Sequence, residues 1–348
     1  MTSPIITEDN SKSKHALRSR APDPIKQIMD AVVFLAPMSG VTDVPFRILM
    51  RRYGCKFAFT EMLDSNGINY NNARTLRMLD HPKEDEPLGV QIMGQEADTL
   101  IMSAKLCQDK GYPMLDFNAG CPAKKIVSPG KGASLLKDPL KLGRLVGALV
   151  KELSIPVTVK IRSGWSEKTK NYLEIAKIIE SEGASAICIH PRTRDQKFKG
   201  KPDHEITREI KENVNIPIFA SGNVFSLEDV MDLKKKTNCD AVVLARGALG
   251  KPWIFNDIYN GVLTDTQAPQ ERFEKAKKAM KEHFDLCFEF MRPRWKFSQM
   301  YKHVSWYFVD FKNLNEIMRE FLKVKSIDEF TLFLQRLSLD PTNKLYLQ

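Results

Sequence analysis

The chain has 348 residues, 43% of them hydrophobic and 28% charged, enough to bury a large core and ordinary for a soluble globular protein. A net charge of +10 and a pI near 9.2 favour polyanionic partners. Six scattered cysteines, with no CxxC pair and no Cys/His cluster, argue against a metal site and a disulfide framework, and no run of 18 apolar residues is present to cross a membrane.

Residues 1–30 are polar, carry both charge signs and lack an apolar export signal, so a flexible extension of a cytoplasmic protein is expected. Beyond them, short β-rich runs alternate with amphipathic helical patterns. The runs are "VVFLAPM" (32–38), "FAFTEM" (57–62), "LGVQIMG" (88–94), "MLDFNAG" (114–120), "VTVKIR" (157–162), "AICIH" (186–190), "PIFASG" (217–222) and "AVVLARG" (241–247). Eight alternating units predict an α/β chain folded as a TIM (β/α)8 barrel over 31–262, with a doubly wound sheet as the alternative. After 262 the strand-like runs stop, and helical patterns occupy 268–291, 297–310, 313–324 and 326–338. A separate helical domain over 268–348, joined through "TDTQAPQ", is therefore expected, in a chain taken as a monomer.

Strands of a parallel barrel are covered on both faces and should be nearly all apolar. Here Thr158, Lys160 and Arg162 share one face of their strand, His190 shares a face with Ala186 and Cys188, and Gln91 and Asn118 stand late in theirs. With a side-chain period of two, these groups point inward at the carboxyl end of the barrel, where barrel enzymes keep their active sites. A lone histidine at a strand end is usually only hydrogen-bonded. A buried ammonium such as Lys160 needs an anion or acceptor, and polar residues on four strands at one rim argue for a site. Strands seven and eight end in "ASGNV" and "ARGALG", small residues that let backbone N–H groups approach a phosphate beside Arg246.

The motifs "APMSGVTDVPFR", "VQIMG", "NAGCPAKKI", "VKIRSGW", "HPRTR", "SGNV" and "ARGALGKPWIF" together resemble the dihydrouridine synthases over about residues 31 to 260. The tail "KHVSWYF" resembles the helical domain of their bacterial B-type branch. The resemblance implies a TIM barrel that binds FMN, takes electrons from NADPH and reduces the C5–C6 bond of selected uridines in tRNA. It implies FMN contacts from Pro37, Met38, Ser39, Gln91, Lys160, His190, Ser221, Gly222, Asn223, Ala245 and Arg246. It makes Cys121 the catalytic acid, and has Asn118 and Arg192 seat the flavin or the target uridine, with Lys124 and Arg162 counted among the substrate-binding residues. Pro191 stands where many relatives have glycine, Ser221 with Asn223 replaces the commoner Asn-Gly-Asp, and Lys131 and Ala133 alter a usually smaller loop.

The chemistry suits these residue types. Reducing an isolated pyrimidine double bond needs a hydride and a proton on adjacent carbons. A free thiol, with an ordinary pKa of about 8.5, arrives protonated at neutral pH where a carboxylate would not. A buried apolar role is the common alternative for a cysteine, but Cys121 lies between Gly120 and Pro122 at a strand mouth. Residues 290–309 carry Arg292, Arg294, Lys296 and Lys302 with aromatics between them, a pattern for tRNA phosphates and bases. Trp295, Phe297, Trp306 and Phe308 themselves read better as helix-core residues. The rival readings are an FMN barrel acting on a free pyrimidine, as dihydroorotate dehydrogenases do, and a non-catalytic RNA-binding barrel.

Overall fold

The computed structural model describes residues 23–263, 268–291 and 293–347. Its main sheet runs β1 (Val33–Leu35), β2 (Ala58–Phe59), β3 (Leu63–Asp64), β4 (Leu88–Met93), β5 (Leu115–Asn118), β6 (Val157–Arg162), β7 (Ala186–His190), β8 (Ile218–Ser221) and β9 (Ala241–Leu244). Every pairing is parallel, β1 joins β9, and β2 joins both β1 and β4, so the sheet closes on itself. Closure excludes the doubly wound sheet. β2 and β3 are successive pieces of one stave, each paired with β4, which leaves the eight staves of a TIM barrel.

The barrel is plugged by rings at the end where its strands begin. Phe34, Phe57, Phe59 and Phe219 pack there with Met114, Ala186 and Ala241, and Ile25 and Ile28 reach into the same cluster from a helix at Pro24–Ala31. That helix corrects the expectation of a flexible extension up to residue 30. Asp23 caps it by accepting from the Ile25 N–H, Pro24 supplies its first turn, and three-residue spacing puts both isoleucines on one face. Residues 1–22 lie outside the described residues.

The tail contains helices at Pro269–Phe290, Pro293–Tyr307, Leu314–Phe321 and Ile327–Arg336, as its periodicity predicts, but it ends in β-structure. An antiparallel hairpin joins β10 (Leu337–Leu339) to β11 (Leu345–Leu347). Its turn is built by Asp340, whose carboxylate accepts from the Thr342 and Lys344 N–H groups at 2.8 and 2.9 Å. Nor does the tail have a core of its own. Its buried residues form one cluster with those between the barrel and its outer helices. Phe46 of the barrel helix Val44–Arg52 meets the rings of His283 and His303 at 5.7 and 5.5 Å. Among the described residues, no helix is long and apolar enough to cross a membrane.

Candidate active site

Strand register brings the inward polar groups into rows. Gln91 lies opposite Asp116 and Asp116 opposite Thr158; Asn118 lies opposite Lys160 and Lys160 opposite Cys188; Arg162 lies opposite His190. Of these, Gln91, Asn118, Lys160, Arg162 and His190 wall a cavity of about 450 Å³ at the carboxyl end of the barrel. Pro37, Met38 and Ser39 of the β1 loop line it, with Gln91, Asn118, Cys121, Lys160, Arg162 and His190 from the central staves. Ser221, Gly222, Asn223, Ala245 and Arg246 complete it from the last two.

A hydrogen-bond relay fixes the loop that carries Cys121. Asp116 is fully enclosed, and burial pushes its carboxyl up to about 6. It accepts from the Thr158 hydroxyl at 2.6 Å and from Gln91 Nε2 at 2.5 Å. An ionised carboxylate only accepts, so Gln91 must present its NH2 to Asp116 and its Oε1 to the other side, where Asn118 Nδ2 donates at 2.8 Å. Asn118 is then left with Oδ1 facing the loop, and it accepts from the N–H groups of Gly120 and Cys121 at 3.1 and 2.9 Å. From behind, Gly132 is close enough that a Cβ there would lie 2.8 Å from the Cys121 carbonyl oxygen, at a φ of +57° that favours glycine. Cys121 is half-buried with its side chain at the cavity.

The other wall is cationic. Burial first, and then the charges of Arg162, Lys160, Arg192 and Arg246, hold His190 neutral far below the usual imidazole range. Arg192 Nη1 lies 2.9 Å from His190 Nε2 and can only donate, so Nε2 accepts and the proton sits on Nδ1. None of the four cations has a carboxylate in ion-pairing range among the described residues. Lys160 Nζ has only the Cys188 sulfur, at 3.5 Å, and burial pushes that thiol up. Asn223 Oδ1 accepts from both Arg192 and Arg246, at 3.1 and 2.9 Å. Gly222 has a φ of +128°, and a Cβ there would come within 3.3 Å of the His190 ring. A cavity lined by Lys160, Arg162 and Arg246, none of them ion-paired to a described carboxylate, and by buried amide groups suits an anion with further polar atoms.

The sequence family described as Dihydrouridine synthase (Dus) matches residues 34–341, nearly the whole chain. The chain belongs to the dihydrouridine synthase family. This is an oxidoreductase family, and the match spans barrel and tail alike. The chain is 34% identical over 296 residues to tRNA-dihydrouridine synthase B of Pseudomonas aeruginosa, covering 85% of this chain and 89% of that protein. It is 33% identical over 305 residues to tRNA-dihydrouridine synthase B of Vibrio vulnificus, covering 88% and 94%. Histamine dehydrogenase from Rhizobium sp. 4-9 shares the fold, with a TM-score of 0.52 at 10% identity over 74% of this chain and 49% of that one.

In this dihydrouridine synthase barrel, the residues expected at the cofactor all reach one cavity, whereas those expected at the RNA scatter. Arg162 and Arg192 are buried and bond backbone carbonyls: Arg162 those of Gly120, Thr193 and Lys197, Arg192 those of Lys199 and Gly200. They brace loops. Lys124 is exposed on the short helix Lys124–Val127 and does not line the cavity. Lys131 is 5% exposed and locked to both carboxylate oxygens of Asp64 at 2.7 Å. Lys302 donates to the Gly40 carbonyl and so ties the tail to the β1 loop. Arg292 and the side chains of Arg294 and Lys296 lie outside the described residues. Phe308 is buried and Trp306 meets His303 edge-on at 4.9 Å, in keeping with core roles. Among the residues the sequence reading missed are Asp116, which holds the relay behind the cavity, and Phe198, which lines it. Asp116 shares the parity of Asn118 on its strand, a signal that was readable; Phe198, on a loop of lysines, had none.

Proposed function

We propose that this chain is a tRNA-dihydrouridine synthase that reduces the C5–C6 double bond of uridines in tRNA, holding FMN in the barrel cavity and using NADPH as the reductant. The observation that carries the reading is the meeting, on one cavity, of the half-exposed Cys121 thiol with Lys160, Arg162 and Arg246, none of which is ion-paired to a described carboxylate. The relatives named tRNA-dihydrouridine synthase B support it and point to tRNA as the RNA. The site fits FMN: Arg246 and the SGN turn at 221–223 suit its phosphate, and Gln91, Asn118 and His190 offer polar atoms for its ring. Lys160, whose hydrogen-bond partner among the described residues is a thiol, suits negative charge on a reduced ring. Bound there, FMN supplies a hydride to one carbon of the uridine double bond.

The chain's own residues do the rest. A base stacked in folded RNA must be turned out to enter a cavity at the barrel mouth. Cys121, held by the Asn118 relay, gives its proton to the neighbouring carbon of the base, completing the saturated bond. The thiolate left behind is met by the positive charge of Arg162. Arg162 and Arg192 act as positioning residues, and the exposed Lys124 faces RNA phosphates. We take the barrel to end at about residue 262 and the tail to form an RNA-facing helical region. The test is mass spectrometry of total tRNA, mapped by position, from cells with and without the protein. A purified protein that binds no FMN, or tRNA profiles that do not differ, would overturn the reading.

A further inference from the structure

The loop between β7 and the helix His204–Asn213 reads "HPRTRDQKFKGKPD", and it is pinned from within. Arg162 Nη1 donates to the carbonyls of Thr193 and Lys197 at 3.0 and 2.8 Å, and Arg192 donates to those of Lys199 and Gly200 at 3.2 and 2.6 Å. Two buried guanidinium groups therefore fix four carbonyls of one surface loop, and Lys197 at φ +51° shows how tightly it turns. What the loop holds outward is unusual. Phe198 stays 56% exposed although it lines the cavity mouth. Its ring lies 6.1 Å from that of His190, within 5.4 Å of the Arg162 guanidinium and within 5.7 Å of that of Arg246.

Lys197, Lys199 and Lys201 stand exposed around it, and none forms an ion pair with any described residue. The nearby acid, Asp195, is taken by Arg194 at 3.0 Å. An apolar ring held away from any core, flanked by unpaired ammonium groups, is what a nucleic-acid strand requires. Every base has a face to stack on a ring, and every phosphate attracts a cation. The location adds the direction. If one base enters the cavity, the nucleotides on either side must cross the rim where this loop stands.

We propose that residues 193–201 form a clamp for the RNA strand beside the turned-out uridine. Phe198 stacks on the base next to it, and Lys197, Lys199 and Lys201 hold the flanking phosphates. The clamp rests on the RNA reading given above. It places a grip at the barrel mouth itself, beside the RNA-facing tail, whose Lys302 already bonds the Gly40 carbonyl.

The experiment uses flavin-loaded full-length protein and unmodified transcribed tRNA, with affinity measured over a range of KCl. Phe198→Leu should weaken binding roughly five- to a hundredfold at each salt concentration with the salt slope unchanged, since stacking is not ionic. Phe198→Trp should restore it. Changing Lys197, Lys199 and Lys201 together to Gln should make the slope of log affinity against log salt shallower by about 2, as three released counterions on a single strand predict. All these side chains are exposed, so melting temperatures should stay at the wild-type value. Phe198→Leu within twofold of wild type, or an unchanged slope in the triple variant, overturns the clamp. If the wild type makes dihydrouridine in that case, the RNA reading survives without it. A wild type that neither binds nor modifies tRNA overturns both.

Discussion

Removing the Asp116 carboxylate should unlatch the Cys121 loop from a distance. In Asp116→Ala the Thr158 hydroxyl and Gln91 Nε2 lose their acceptor inside a closed barrel. Each orphaned buried donor costs about 1–3 kcal/mol, so the loss is roughly 2–6 kcal/mol. At an unfolding entropy of about 2.1 cal/mol/K per residue, a chain of this size should melt roughly 3–8 °C lower. With Gln91 free to turn, Asn118 loses the partner that sets its orientation and the Gly120–Cys121 amides lose their fixed acceptor. Asp116→Asn is the informative control. Its Oδ1 accepts from Gln91 as before and its NH2 donates to Thr158, whose hydroxyl rotates to accept, so the relay keeps its sense. Thermal melts followed by circular dichroism, with dihydrouridine formation per bound flavin beside them, compare the two. If Asp116→Asn is as damaged as Asp116→Ala, the relay reasoning is wrong, and the negative charge facing Lys160 is what matters.

Cys121→Ala should still bind FMN and still oxidise NADPH, while dihydrouridine formation drops about 10²–10⁴-fold for want of the acid; near-normal product formation would remove the thiol from the mechanism. His283 and His303 are buried beside Phe46 in the barrel–tail seam, and burial holds His283 down at about 3 and His303 well below its usual range. Below pH 6.5 the unfolded chain binds protons that these histidines refuse when folded, so each lowers stability by up to about 1.4 kcal/mol per pH unit. Asp43 and Asp116, both raised to about 6 by burial, act in the opposite direction between about pH 6 and 4, so the total pH dependence is blunted. Urea unfolding of His303→Phe against wild type isolates the effect: the variant should gain relative stability as pH falls from 6.5 to 5, and a difference that ignores pH would contradict it. Arg47 and Asp85 form a buried pair at 2.6 Å that ties the helix Val44–Arg52 to the loop before β4. Arg47→Met should lower stability by about 3–5 kcal/mol, read from the denaturant midpoint, because it strands a buried carboxylate.

Much of this arrangement was legible in the sequence, and the reason is periodicity. A closed parallel barrel forces alternate residues inward, so Lys160, Arg162 and His190 declared their direction before any coordinates. The same rule would have found Asp116 had its parity with Asn118 been followed. The helix Pro24–Ala31 and the hairpin after Arg336 also left local signals, an Asp-Pro start and an Asp-Pro-Thr-Asn turn between Leu-Ser-Leu and Leu-Tyr-Leu. What sequence does not carry is the partner of a charge. Arg162, Arg192 and Lys302 read alike as cations for a ligand, and Lys131 as one more charge on a loop. Only in three dimensions do two of them meet loop carbonyls, one a carboxylate and one the backbone of another region. Phe198 was invisible for a different reason: a single ring on an irregular loop has no period to betray it.

The shared core of barrel and tail has a consequence for how a large substrate is chosen. Gly250 of the barrel fits so tightly against the tail that a Cβ there would sit 2.2 Å from the Trp306 carbonyl oxygen, and Lys251 and Arg272 both pair with Asp310, at 3.2 and 2.6 Å. The span from the thiol to the far helices is thus set when the polypeptide folds, before any RNA arrives. A jaw of fixed opening gauges its workpiece: if RNA is held at both the barrel mouth and the tail, as proposed, one whose second contact lies at the wrong distance from a given uridine cannot seat at both ends, whatever bases surround that uridine.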